Sequence, residues 1–219
     1  MMHLPWAWDS VLYLRAMFLF NATIHQPQPP GYLFYVSLAR LIDLLVHDDH
    51  RALVWVSILA AGLATSALYL LARFLYDRGT ALLAAGFLAT SVTFWFYSEI
   101  AYPYTMLAAG TTILAFVTVA LRHGLLPGAR GAAVAALAWA LMAGFRQDLL
   151  LFLAPLFFAA MWGRPVRDWL AGCCAGAVGI VTWLVPTAAL SEGFAKYLHA
   201  TMRQGGLVSS SSLFALGFD

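Results

Sequence analysis

Three polar clusters interrupt an otherwise apolar chain, and these are the places where chemistry could occur. The first is Asp9 with the turn His25-Gln26-Pro27-Gln28-Pro29-Pro30-Gly31. The second is Glu99, Tyr102 and Tyr104. The third is Phe145-Arg146-Gln147-Asp148. The third carries the most physical information. The apolar run before it, Gly131–Phe145, makes only about 22 Å of helix, against a hydrocarbon core of about 30 Å. The turn bearing Arg146 is therefore expected below the outer surface, where an arginine needs a polar cavity or an anionic partner. A plainer reading is a short hairpin whose arginine snorkels to the surface and pairs with Asp148. Both stay open on the sequence alone. Asp9 equally reads as a helix N-cap, with Ser10 competing for that place. The Pro-rich turn reads as a rigid entry to the helix after it, Glu99 as a loop-end carboxylate, and Tyr102 and Tyr104 as interfacial belt aromatics.

The elements that must position these clusters follow from composition. Of 219 residues, 63% are hydrophobic and 10% charged, where a soluble domain carries about 25% charged residues. A bilayer must serve as solvent for this surface. The net charge of +2 is too small to imply nucleic acid. Cys173 and Cys174 are adjacent inside an apolar run, which is neither a disulfide framework nor metal-ligand spacing. The stretch before Asp9 lacks the basic start of a signal peptide.

Six apolar runs predict an all-α polytopic bundle of about six spans: 51–76, 80–97, 104–121, 131–145, 149–162 and 170–190, the fourth and fifth short. Arg73 and Arg78, Arg122 and Arg130, and Arg164 and Arg167 fall in alternate loops. The positive-inside rule puts those loops in the cytoplasm. Residues 1–50, the Glu99 loop, Arg146 and the tail from 191 then face outward. Residues 1–50 form a first external loop, 51–190 the membrane core and 191–219 an external tail that reads as truncated. Within the first loop, Tyr32–Val46 is apolar except for Ser37, Arg40, Asp43 and His47, a stripe at helical spacing. Such a helix lies in the interface rather than crossing it, and Arg40 and Asp43 are close enough to pair.

Three stretches, in their order and on their common side, resemble the GT-C superfamily of membrane glycosyltransferases, in particular bacterial members akin to protein O-mannosyltransferases and lipid A aminoarabinose transferases. They are WAWDSVLYLRAMFLFNATIHQPQPPGYLFYVSLARL, SVTFWFYSEIAYPYTM and GFRQDLLLFLAPLFF. The first is similar to an acidic external loop running into an interfacial helix, the second to a span end, the third to a basic turn between short spans. The resemblance implies a sugar donor carried on a polyprenyl phosphate, an inverting displacement and Asp9 as the general base. It implies cationic support for the leaving phosphate, for which Arg146 is the choice, with His25 and Gln147 as weaker candidates; Glu99, Tyr102, Tyr104 and Asp148 complete the site. No cofactor is implied beyond the donor, no metal ligands are assigned, and the need for a divalent metal is left open. The partners would be membrane lipid, the lipid-linked donor and an acceptor glycan, lipid or protein, at the extracytoplasmic face of a cell or inner membrane.

Family members carry a helix before the acidic loop and further spans beyond the sixth, so the chain reads as a fragment. Two other classes compete: a non-enzymatic transporter of lipid-linked sugars or assembly subunit, and an inactive remnant. A transporter would place paired polar groups at mid-membrane, whereas here they gather at one face.

Overall fold

The computed structural model describes Pro5 and residues 7–210. Met1–Leu4, Trp6 and Ser211–Asp219, with half of the Ser209–Ser212 run, lie outside the described residues. The chain opens with α1 (Trp8–Phe18), a 3-10 turn (Ala22–Ile24) and α2 (Leu33–Val46). Then come α3 (Asp49–Leu75), α4 (Arg78–Thr90), α5 (Val92–Ser98), α6 (Tyr104–Arg122) and α7 (Gly128–Phe145). Two short helices, α8 (Leu149–Phe152) and α9 (Ala154–Met161), lead to α10 (Val166–Leu190) and α11 (Phe194–Ser210). The bundle is all-α, as its apolar runs predict.

Polar residues mark where these helices start. Asp48 accepts from the Arg51 amide to begin α3, and Asp77 from Gly79 and Thr80 to begin α4. Such caps satisfy amides that no earlier turn can reach. Ser91 closes α4 and caps α5, and the two helices meet at a bend of 62°.

The number of spans differs from the six expected. Four helices, α3, α6, α7 and α10, are long and apolar enough to cross a membrane, and the bent α4–α5 pair makes five. The run at 149–162 is broken at Leu153, and Pro155 in the first turn of α9 has no amide to continue α8. Residues 149–161 as helix measure only about 20 Å. They nonetheless run from the Arg146 end of the bundle to the opposite end. There Arg122 donates to the Trp162 carbonyl at 3.0 Å and Arg164 to Leu121 at 2.6 Å and to Asp168 at 3.0 Å. The loops that share arginines in the sequence therefore share one end of the molecule. A second correction concerns α7, which begins at Gly128, has 18 residues and is about 27 Å long. Length alone thus does not bury Arg146.

The first loop packs against α3 instead of crossing. Tyr13, Ala16, Tyr35, Val36 and Ala39 of α1 and α2 share a core with Ala52, Leu53 and Val56 of α3. Leu41, Leu44 and Leu45 of α2 are exposed, as befits an interfacial helix. Arg40 donates to the carbonyls of Ala16 and Met17 at 2.8 and 3.1 Å, closing the C-terminal end of α1.

α7 and α10 approach closely because small residues face each other. Ala136 lies 3.7 and 3.8 Å from where a side chain on Gly172 or Gly176 would begin, and Ala140 only 2.7 Å from that point on Gly179. Small residues four apart allow this backbone approach between membrane helices. The Trp183 indole then donates across the seam to the Ala140 carbonyl at 2.9 Å. Cys173 and Cys174 are unpaired and exposed on α10. Gly179→Leu should lower stability by about 1–3 kcal/mol through overpacking. Gly62→Leu, at a position with nothing within 4 Å, should leave the melting temperature in detergent unchanged.

Candidate functional site

Neither Asp9 nor Ser10 caps α1. The N-cap is Ala7 and no side chain caps the helix. The Ser10 hydroxyl donates instead to the Ala101 carbonyl at 3.1 Å, tying α1 to the loop between α5 and α6. Asp9 is left half-buried in the first turn, where the helix dipole favours a carboxylate, with its side chain against the Tyr102 phenol. Burial first, and then the Asp9 charge, pushes that phenol up to about 12. The Ser57 hydroxyl holds the same loop to α3 by donating to the Tyr102 carbonyl at 2.9 Å.

From Asp9 the site continues through aromatic rings to a cation. The Tyr102 and Tyr104 rings stack at 5.3 Å and 7°. The Arg146 guanidinium lies 5.1 Å over the Tyr104 ring, within cation–π range. Its Nε donates to both Asp148 carboxylate oxygens at 3.0 and 2.8 Å. The two side chains are 22% and 34% exposed. Burial pulls Arg146 down, but the hydrogen bond to Asp148 and the Tyr32 ring beside it outweigh that and raise it above its ordinary value. The pairing with Asp148 is the one the plainer sequence reading expects, and the protein itself half-buries the pair.

Gln147 reaches the Pro-rich turn. Its amide donates to the Pro30 carbonyl at 3.0 Å, and the Tyr197 hydroxyl of α11 contacts both the Pro30 carbonyl and Gln147 Oε1, at 3.0 and 3.1 Å. The next residue, Gly31, has φ +127°, and a side chain there would begin 2.9 Å from Thr187, so only glycine fits. Tyr32 follows in the left-handed region and starts α2.

The structure thus brings together Asp9, Tyr102, Tyr104, Arg146, Gln147 and Asp148. Two candidates stand elsewhere. His25, left-handed at the end of the 3-10 turn, lines a separate cavity with α11. Glu99 ends α5 and accepts from the Trp95 indole at 2.9 Å. Among the described residues no group of three or more His, Cys, Asp or Glu is placed to hold a metal ion.

Residues 27–191 match the family model for dolichyl-phosphate-mannose-protein mannosyltransferases. The chain belongs to this family. It is therefore a membrane protein of GT-C glycosyltransferase type. No curated protein and no solved structure matches it. The match to the mannosyltransferase family contains the arginine turn and the tyrosine loop, while Asp9 and His25 precede it.

Three further residues of this candidate site lie outside the set the sequence points to. Tyr97 packs edge-on to Tyr104 at 4.8 Å. Tyr32 lies beside Arg146 and Asp148, and burial raises its phenol above the ordinary value despite the guanidinium. Tyr197 stands far down the chain. Only Tyr32, at the end of the Pro-Pro-Gly-Tyr run, carried a local signal. Removing the Tyr197 hydroxyl should loosen the junction of α11, the Pro-rich turn and the arginine turn. Tyr197→Phe should destabilise by about 0.5–1.5 kcal/mol, the net value of such a hydrogen bond, measured as a shift in thermal unfolding.

Proposed function

We propose that the chain transfers a sugar from a polyprenyl-phosphate donor to an acceptor hydroxyl at the extracytoplasmic membrane face, with inversion. The observation that carries this reading is the convergence of a carboxylate, an aromatic wall and a half-buried guanidinium at one end of an apolar bundle. Both charged groups sit where a lipid tail could stay in the bilayer and a sugar phosphate meet water.

In this reading Asp9 takes the proton of the acceptor hydroxyl as that oxygen bonds to the anomeric carbon. The bond from the anomeric carbon to the phosphate oxygen breaks on the opposite face, and its electron pair leaves with polyprenyl phosphate. No general acid is needed, because a phosphate leaves as a stable anion near neutral pH. Arg146 receives the growing negative charge on that phosphate. Asp148 takes its Nε and fixes the plane of the guanidinium, so the Nη end is the part offered to the donor. Gln147 and Tyr197 hold the turn in register with the Pro-rich loop. The Tyr102 phenol stays protonated at physiological pH and can donate to Asp9 without taking its proton.

Arg73, Arg78, Arg122, Arg130, Arg164 and Arg167 fall at the helix ends and turns of the alternate connections, which supports the outward orientation of this site. The remaining external candidates, Glu99 and His25, have no assigned step.

Asp9→Asn tests the base. The amide keeps the size of the side chain, and no helix cap is lost because Asp9 does not cap α1. Transfer from a polyprenyl-phosphate sugar should fall by about 100- to 10,000-fold, the usual contribution of a positioned base, with thermal stability preserved. Transfer within a few-fold of the unaltered chain would remove Asp9 from the mechanism.

A further inference from the structure

α11 encloses a groove against the 3-10 turn that the transfer reading does not use. Its volume is about 540 Å³, within the range of about 300–1,000 Å³ that holds small ligands. Lys196, His199 and Arg203 line it from one face of α11, and His25 lines it from the turn opposite. Steps of three and four residues place the first three side by side along the helix.

The charges in this groove do not cancel. Glu192 accepts from Lys196 at 2.7 Å, Asn21 at 3.0 Å and Thr23 at 3.2 Å. The hydrogen bond from Lys196, followed by that from Asn21, holds its carboxyl down at about 2. Lys196 and Glu192 therefore neutralise each other. Arg203 is left to set the sign of the groove, since no hydrogen bond or ion pair engages its guanidinium among the described residues. A planar guanidinium holds two oxygens of a phosphate at once.

The other face of α11 suggests what brings the phosphate. Phe194, Leu198 and Met202 follow at steps of four and are 58%, 38% and 66% exposed. An apolar stripe opposite a cationic face is the pattern of a helix lying in the membrane interface, where its cations stand at headgroup depth. Tyr197, between the two faces, anchors the helix to Pro30 and Gln147, so the groove is held in place relative to the arginine turn.

We propose that the groove between α11 and the 3-10 turn binds the phosphate headgroup of an anionic membrane lipid, with Arg203, His199 and His25 donating to its oxygens. The assignment does not depend on the chemistry given to Asp9 and Arg146.

The test is isothermal titration of the full chain in neutral detergent with two probes, dihexanoyl phosphatidic acid and inorganic phosphate. The short-chain lipid should bind saturably and more tightly than phosphate. Arg203→Gln should weaken that binding at least tenfold and His199→Gln should weaken it less, both with unchanged melting temperature because both side chains are exposed. Arg146→Gln should leave it unchanged. Lipid affinity unaltered by Arg203→Gln and His199→Gln would overturn the proposal, as would the absence of saturable binding. Inorganic phosphate binding as tightly as the lipid would overturn the headgroup assignment. Loss of lipid binding in Arg146→Gln alone would place the phosphate at the transferase site and overturn the groove, leaving the transfer reading intact.

Discussion

Arg146 closes α7 with a side chain only 22% exposed, at the end of a bundle built to sit in lipid. A charge so far withdrawn from water is stable only with partners, and the surrounding residues are arranged as those partners. Asp148 follows two residues later and turns its carboxylate back onto Nε. Tyr104 opens α6 with its ring under the guanidinium. Because Tyr104 must stand there, Tyr102 stacks on it at a fixed register, and the Tyr102 phenol meets Asp9. The Ser10 bond to Ala101 sets α1 against the same loop. One half-buried cation thereby gathers residues from three separate parts of the chain.

The bundle holds the turn rigid enough for this to matter. The close seam of α7 and α10 fixes the axis of α7, and the Trp183 bond to Ala140 lies within two turns of Arg146. On the other side of the turn, the Trp139 indole donates to the Leu149 carbonyl at 3.0 Å, which keeps the start of the short α8–α9 segment folded back along α7. Tyr197 and Gln147, sharing the Pro30 carbonyl, tie the Pro-rich loop and α11 to the same turn.

Much of this was legible in the sequence. Apolar runs locate α3, α6, α7 and α10, and the alternate arginine loops predict a shared end, where Arg122 reaches Trp162 and Arg164 reaches Leu121. Each of the three polar clusters contributes to one constellation, Asp9 from the first, Tyr102 and Tyr104 from the second and Arg146, Gln147 and Asp148 from the third, while His25 and Glu99 stand apart from it. The misses have physical causes. Arg130 reads as a loop residue, yet it lies in the first turn of α7, which starts straight after Pro127, so the apolar run understates the length of the helix. The 149–162 run is apolar throughout, and hydropathy does not register the break at Leu153. His25 neighbours the Pro-rich turn in the chain, but it is left-handed at the end of the 3-10 turn and lines the groove beside α11. Tyr197 and Arg203 lie in a segment read as a tail. The value of Tyr197 comes from contacts with Pro30 and Gln147, separated from it by 167 and 50 residues, and no local spacing announces such contacts.

The central claim is that the half-buried guanidinium of Arg146 exists to hold a donor phosphate. Binding of a polyprenyl-phosphate sugar to purified Arg146→Lys and Arg146→Gln variants in nanodiscs tests it most directly. Lysine keeps the charge but loses the planar fork, so it should retain partial affinity. Glutamine should lose about 2–5 kcal/mol of donor binding, the scale for truncating one partner of a desolvated charge pair. Equal donor affinity for the unaltered chain and Arg146→Gln, at equal thermal stability, would make this arginine a structural ion-pair partner of Asp148 and contradict the account.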